Sequence, residues 1–277
     1  MPEGDTVHLL AAKLDAALAG QRLLASDFRV PRFATCDLAG QTVTAVAARG
    51  KHLLLRTDAG MTLHSHLMME GAWHLYRPGE RWRGPAFQVR AVLRTTPWVA
   101  VGFRLGVCEL LPTEREHEIV GHLGPDVLGP DWDLAEAARR LRADPDRAIG
   151  SALLDQRAIA GPGNVWKCEL CFLRGVDPWT PVGQVADLEG MLALLHRMMT
   201  ANRARGLGHQ VTTGDPRPGR AHWVAERDGK PCRRCGTPIR KAAQDGYGGE
   251  RVTWWCPSCQ RGGGRPALQA GAGAPVA

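Results

Sequence analysis

Two Cys-x-x-Cys pairs, Cys232-Arg-Arg-Cys235 and Cys256-Pro-Ser-Cys259, stand 20 residues apart near the C-terminus, and they restrict the fold more than any other feature of the sequence. Each knuckle turns two sulfurs toward one point, and four such sulfurs complete the tetrahedron that Zn²⁺ accepts at about 2.3 Å. Between them, Thr237–Lys241 and Arg251–Trp255 predict two strands joined by the turn-rich stretch 244–249, a hairpin with metal at its base. Two disulfides would use the same cysteines. That alternative needs an oxidising compartment, and the opening MPEGDTVHLL lacks the basic stretch and small-residue cleavage site of a secretory signal. The chain is therefore expected in the cytoplasm. A closed four-thiolate site leaves no open coordination position, so the expected Zn²⁺ is structural.

A third pair, Cys168-Glu-Leu-Cys171, lies in a segment with helical apolar spacing, residues 164–174. Thiols at i and i+3 share a helix face, and no second knuckle or His pair is nearby, so core packing is expected. Cys36 and Cys108 are expected to be small buried side chains.

Net charge is +7, from 35 basic and 28 acidic residues, and it is unevenly placed. Residues 203–277 carry 13 basic against 5 acidic side chains, residues 1–111 carry 13 against 9, and residues 112–202 carry 9 against 14. Basic regions flanking an acidic one point to a polyanionic partner. No segment approaches the ~18 to 20 uninterrupted apolar residues of a membrane helix.

Along the chain, a helix near Asp5–Leu18 precedes short apolar stretches bounded by Gly, Pro and Asp: 42–46, 52–56, 61–65, 88–93 and 98–101. Such spacing predicts a β-sandwich or barrel over residues 1–111. Residues 112–130, rich in Pro, Gly and Glu, are expected to connect it to a helical bundle and basic loop over 131–221, with helices at 134–141, 149–154, 164–174 and 187–199. The ribbon covers 222–260. The Gly/Ala-rich tail 261–277 is expected to be disordered.

If Met1 is removed, Pro2 supplies a secondary α-amine. Such a group titrates near 7.7–8.0, where a lysine needs about 10.4, so part of it is uncharged at neutral pH. Attack on a sugar aldehyde carbon would give an iminium ion, an electron sink for elimination, with Glu3 beside it to move protons.

Four stretches, Pro2-Glu-Gly4, Arg49-Gly-Lys-His-Leu-Leu54, Gly161-Pro-Gly-Asn-Val165 and the ribbon from Gly229 to Gln260, together resemble the formamidopyrimidine-DNA glycosylase/endonuclease VIII (Nei) family of base-excision repair enzymes. The Pro-Glu-Gly start and Trp254-Trp255 look more like the Nei branch, particularly its actinobacterial members. The resemblance implies an N-terminal β-sandwich, a helix-two-turns-helix bundle and a zinc finger, acting as a monomer on damaged DNA held between two lobes. It implies Pro2 as Schiff-base nucleophile and Glu3 as proton-transfer acid, with Lys51, Asn164 and Arg251 on backbone phosphates around a flipped nucleotide. His66-Leu-Met-Met-Glu-Gly71 is similar to the loop that fills the gap left by an extruded base, with Met69 as the intercalating side chain and His66 at the loop's start. The implied activity is that of a bifunctional glycosylase and abasic-site lyase. A zinc-ribbon protein that binds damaged or abasic DNA without cutting it is the alternative. Thr6 stands where most members carry Glu, Phe103-Arg104 only loosely resembles the loop that fills the duplex opposite the lesion, and 203–221 is shorter and more basic than the 8-oxoguanine cap. These departures favour oxidised pyrimidines or abasic sites as substrates.

Overall fold

The computed structural model describes residues 2–246 and 248–261; the expected disordered tail lies outside the described residues except for Arg261. Helix α1 (Gly4–Leu18) leads into eight strands: β1 (Ala25–Phe28), β2 (Val43–Arg49), β3 (His52–Thr57), β4 (Met61–His66), β5 (Ala72–Tyr76), β6 (Val89–Arg94), β7 (Val99–Phe103) and β8 (Val107–Pro112). They form two antiparallel four-stranded sheets, ordered β1-β6-β7-β5 and β2-β3-β4-β8. Alternation puts Leu53, Leu55, Leu63, Trp73, Leu93 and Ala100 into one core, which Val7, Ala11, Leu14 and Leu18 of α1 close from outside. The chain thus forms the expected sandwich, with α1 laid along β2.

Residues 113–130 are more than a connection. After a 3₁₀ turn they form α2 (Glu116–Val120), and Leu123 to Leu128 are all buried. Helices α3 (Leu134–Leu141), α4 (Ile149–Ala152), α5 (Asn164–Leu173) and α6 (Leu188–Ala204) enclose a second core of Ile149, Leu153, Trp166, Leu170, Leu192, Leu195 and Met199. Asp133 and Asp187 cap α3 and α6 by accepting from Glu136 N–H and Gly190 N–H.

The ribbon's two strands are β9 (Arg240–Gln244) and β10 (Arg251–Trp255). The first begins three residues later than expected because Pro238 has no N–H for the ladder, and Thr237 carbonyl is already taken by Cys232 N–H in the knuckle. The hairpin packs on α5, whose Cys168 and Phe172 meet Ile239 and Cys256 in a third core. Cys168 and Cys171 are buried as expected, and so is Cys108, but Cys36 is exposed. It sits in the turn-rich segment after Pro31–Phe33, too polar and short to close a core over it.

Candidate active site

Three glycines let the N-terminus meet α5. Gly4 N–H donates to Gly161 carbonyl at 2.9 Å, and a Cβ on Gly4 would stand 2.7 Å from Gly161 Cα. Gly161 has φ +110°, a conformation few other residues adopt. At Gly163 a Cβ would lie 2.5 Å from the Glu3 carboxyl carbon. Glu3 therefore fits directly under the start of α5: its carboxylate accepts from the N–H groups of Gly163 (2.7 Å), Val165 (2.8 Å) and Trp166 (3.3 Å). Glu3 is also the residue at the N-cap of α1, yet it caps α5 instead. Full burial pushes its pKa above the ordinary carboxylate value, against the opposing pull of Lys51 and the helix-start N–H groups.

Lys51 follows Gly50, whose φ of +58° makes the β2–β3 turn. Gly50 N–H donates to Asp126 Oδ2 at 2.7 Å; the same buried carboxylate meets His8 Nε2 at 2.9 Å and accepts from Leu128 N–H at 3.0 Å. Burial works against the ion at Asp126, but these hydrogen bonds win and hold its pKa low. Asp126 thereby ties the turn bearing Lys51 to α1 and to the segment after α2. Lys51 itself has its pKa lowered, by burial first and then by Arg251, with Glu3 opposing.

Asn164 opens α5 rather than preceding it, the N-cap being Gly163. Its Nδ2 donates to Val252 carbonyl at 2.7 Å, whereas its buried Oδ1 has no partner among the described residues. A second tie runs deeper: the fully buried Lys167 donates from Nζ to Thr253 Oγ1 at 2.5 Å, Thr253 donates to Gln244 Oε1, and Gln244 Nε2 donates to Pro178 carbonyl. These bonds fix the hairpin whose first residue of β10 is Arg251. The Arg251 guanidinium is exposed and has no carboxylate partner among the described residues.

One cavity of about 250 Å³ brings these residues together, its wall including Pro2, Lys51, His66, Met69, Asn164 and Arg251, with Gln156 and Leu154 from the loop before α5. His66, at the end of β4, accepts from Met68 N–H through Nδ1. Burial and the neighbouring Lys51 lower its pKa to about 4, leaving it neutral with Nε2–H free to donate. Met68 (φ +52°) and Met69 are 50% and 68% exposed. Neither is core, because the turn after β4 breaks the alternation that would bury one of them. Thr6 Oγ1 accepts from Gln210 Nε2, which also donates to Asp5; Asn202 donates to Asp5 as well, so the basic loop is clamped to the start of α1.

The four ribbon sulfurs lie within 4.8 Å of one another, with Cys232–Cys259 at 3.9 Å and Cys235–Cys256 at 3.4 Å. A tetrahedron with 2.3 Å bonds has edges of about 3.8 Å, so the set fits one Zn²⁺.

Glu3's capping role, Asp126 and Lys167 were not legible in the sequence. Only the paired glycines around residue 162 signalled that another backbone comes close there.

Comparison with known proteins places these features in context. Residues 1–104 match the formamidopyrimidine-DNA glycosylase N-terminal domain, and residues 229–262 match the zinc finger found in FPG and IleRS. A relative from Streptomyces coelicolor, "Probable endonuclease 8 2", is 53% identical over 97% of this chain and 99% of its own. "DNA-(apurinic or apyrimidinic site) lyase Nei2" of Mycolicibacterium smegmatis is 49% identical over 94% of this chain and 99% of its own. Among solved structures, the Lactococcus lactis formamidopyrimidine DNA glycosylase bound to abasic-site DNA has the same fold: TM-score 0.77, 24% identity, 94% of this chain and 100% of that one.

Proposed function

The chain belongs to the formamidopyrimidine-DNA glycosylase/endonuclease VIII family, and from that premise we propose that it is a bifunctional DNA glycosylase and abasic-site lyase of base-excision repair, with Zn²⁺ as its structural metal. The observation that carries this reading is the single cavity in which Pro2 stands beside Lys51, Asn164 and Arg251, directly above a carboxylate seated on a helix N-terminus.

In this reading the Pro2 nitrogen, freed by loss of Met1, attacks C1′ of the damaged nucleotide. A C1′–N bond forms as the glycosidic bond breaks, and the base leaves with a proton. Ring opening, with a proton delivered to O4′, gives the iminium; Glu3, protonated more readily than an ordinary carboxyl, is placed to exchange that proton. The iminium withdraws electrons, so loss of a C2′ proton expels the 3′ phosphate, and a further proton loss at C4′ expels the 5′ phosphate. Water then hydrolyses the remaining imine. Lys51 and Arg251 pair with backbone phosphates, and Asn164, His66 and the exposed Met69 hold the opened duplex around the extruded base. The Thr6–Gln210 contact fills the place of the family's usual carboxylate with neutral groups, which supports oxidised pyrimidines over 8-oxoguanine.

Borohydride reduces the imine and should trap an enzyme–DNA adduct on an abasic duplex. An extra residue that keeps Pro2 acylated should abolish it; an undiminished adduct would overturn the proline assignment. Gel-shifted abasic DNA that is never nicked or trapped would instead favour the non-catalytic binder. A panel of thymine glycol, dihydrouracil, hydantoin, 8-oxoguanine and abasic duplexes reads out base preference.

A further inference from the structure

The turns β4–β5 and β7–β8 stand side by side as a ridge. Gly106 N–H donates to His66 carbonyl at 3.0 Å, and Arg104 reaches Glu70 at 3.5 Å. The active-site cavity lies on one flank. On the other flank is a short 3₁₀ turn, Ala86–Gln88, joined to the ridge by a hydrogen bond from Arg104 N–H to Gln88 carbonyl at 2.8 Å.

Two phenylalanines border this flank and are treated in opposite ways. Phe103, at the end of β7, is 4% exposed, packed with Val89 and Val101 and set edge-on to His74 at 5.7 Å. It cannot reach outward. Phe87 is 77% exposed, the most exposed large apolar side chain among the described residues. Its turn is not loose: Arg90 donates to Phe87 carbonyl at 2.9 Å and Arg29 to Ala86 carbonyl at 3.3 Å. The ring is thus held out on a braced turn at the cost of its hydration.

Four residues before Phe87 along the chain, Arg83 lines a cavity of about 340 Å³ together with His74, Leu75, Tyr76, Glu80 and Arg81. Gly84, between that wall and the turn, lies against the Phe103 ring, which holds this stretch to the end of β7. Glu80 is engaged with Arg77 N–H, and Tyr76 hydroxyl accepts from Arg83 N–H. Neither the Arg81 nor the Arg83 guanidinium has a carboxylate partner among the described residues, although many other arginines of the chain do. A rigid exposed aromatic within six residues of two unneutralised guanidinium groups is chemistry that suits a nucleobase with its phosphates, since stacking accepts any base and arginine pairs with phosphate.

We propose that this flank binds the second strand of the substrate duplex: an unpaired base opposite the lesion stacks on Phe87, and Arg81 and Arg83 hold its neighbouring phosphates. The proposal rests on the reading of the cavity across the ridge as the lesion site. A ridge between two such tracks keeps the strands apart, so the surface serves DNA that is locally opened.

The test uses abasic duplexes with 2-aminopurine opposite the lesion. Stacking on Phe87 should quench the probe in the wild-type complex. Phe87→Ala should leave it bright and weaken duplex binding roughly 5- to 150-fold, the range of one base–aromatic stack, while Phe87→Trp should restore both. The double variant Arg81→Ala/Arg83→Ala should lower the slope of log affinity against log salt by about 0.9 for each phosphate left without its arginine. Borohydride trapping on a single-stranded abasic oligonucleotide separates the two readings. Normal trapping with unchanged duplex affinity and fluorescence in Phe87→Ala overturns the second-strand site alone; no trapping by the wild type overturns the lyase reading beneath it.

Discussion

Asp126→Asn removes one charge and one acceptor from the point that holds the Lys51 turn, and the structure sets the size of the effect. Asp126 Oδ2 serves Gly50 N–H and His8, while Oδ1 serves Leu128 N–H. An asparagine has one carbonyl oxygen. If it faces Gly50, its NH₂ group confronts the Leu128 N–H at about the same 3.0 Å, donor against donor; if reversed, Gly50 is orphaned. A buried N–H left without a partner costs about 1–3 kcal/mol. Protection of that amide against hydrogen exchange should therefore fall about 5- to 150-fold, since ~1.4 kcal/mol is a factor of ten. The pH dependence follows from the lowered pKa of Asp126. A carboxyl below its unfolded value of 3.8 contributes stability above that pH and loses it as pH falls through the folded value. The gap between wild type and variant should hold from pH 5 to 8 and narrow as pH falls below 3.8 through the folded value. Single-turnover cleavage should slow as well, by up to about 100-fold if Lys51 shifts by an ångström. Exchange protection at Gly50 and Leu128 unchanged by the substitution would refute this role for Asp126.

Lys51→Met should separate stability from function. Lysine with a lowered folded pKa costs stability as pH falls through that value, so at pH 7 the apolar variant should unfold at higher urea while its affinity for abasic DNA and its salt slope decline. Chelation of Zn²⁺ should release the ribbon, because metal binding supplies about 10–16 kcal/mol in such sites. Trp255, buried edge-on against Trp179 at 4.7 Å, should then shift its fluorescence to the red, and Cys256→Ser should show the same spectrum without chelator.

What the sequence displayed was local. The Cys-x-x-Cys spacing, the short apolar stretch His52–Arg56 and the helical period of residues 164–174 are patterns within a few residues, and each produced its element. Strand β1, Ala-Ser-Asp-Phe, escaped because it is short and polar, and β5 and β8 because Trp-His and Cys-Glu blur the alternation. The site was partly legible through family resemblance, which pointed to Pro2, Lys51, Asn164 and Arg251 together; the cavity joins them in space. Its supports were not. Glu3 caps a helix 160 residues away and Asp126 holds a turn 76 residues before it, and no period in a sequence reports such a partner. Phe87 stayed hidden for the opposite reason. Exposure of one aromatic depends on how a turn is braced, and its neighbour Phe103, equally apolar, is core.

Ion pairing decides which cations can meet phosphate, and it redistributes the meaning of the +7 charge. In the helical region Arg139 and Arg140 share Glu136, Arg142 holds Glu189, Arg147 and Arg157 share Asp155, and Arg174 holds Asp187. Those arginines brace the bundle, and a phosphate approaching them would have to displace a carboxylate. Lys51, Arg81, Arg83 and Arg251 carry no such partner among the described residues, and they border the two cavities on either side of the ridge. At about 0.9 per phosphate, four such pairs would contribute about 3.6 to the salt slope, far below what 35 basic residues would give if all were available. In the proposed reading the field of the whole chain would draw DNA toward it, whereas these four cations would set where the two strands come to rest.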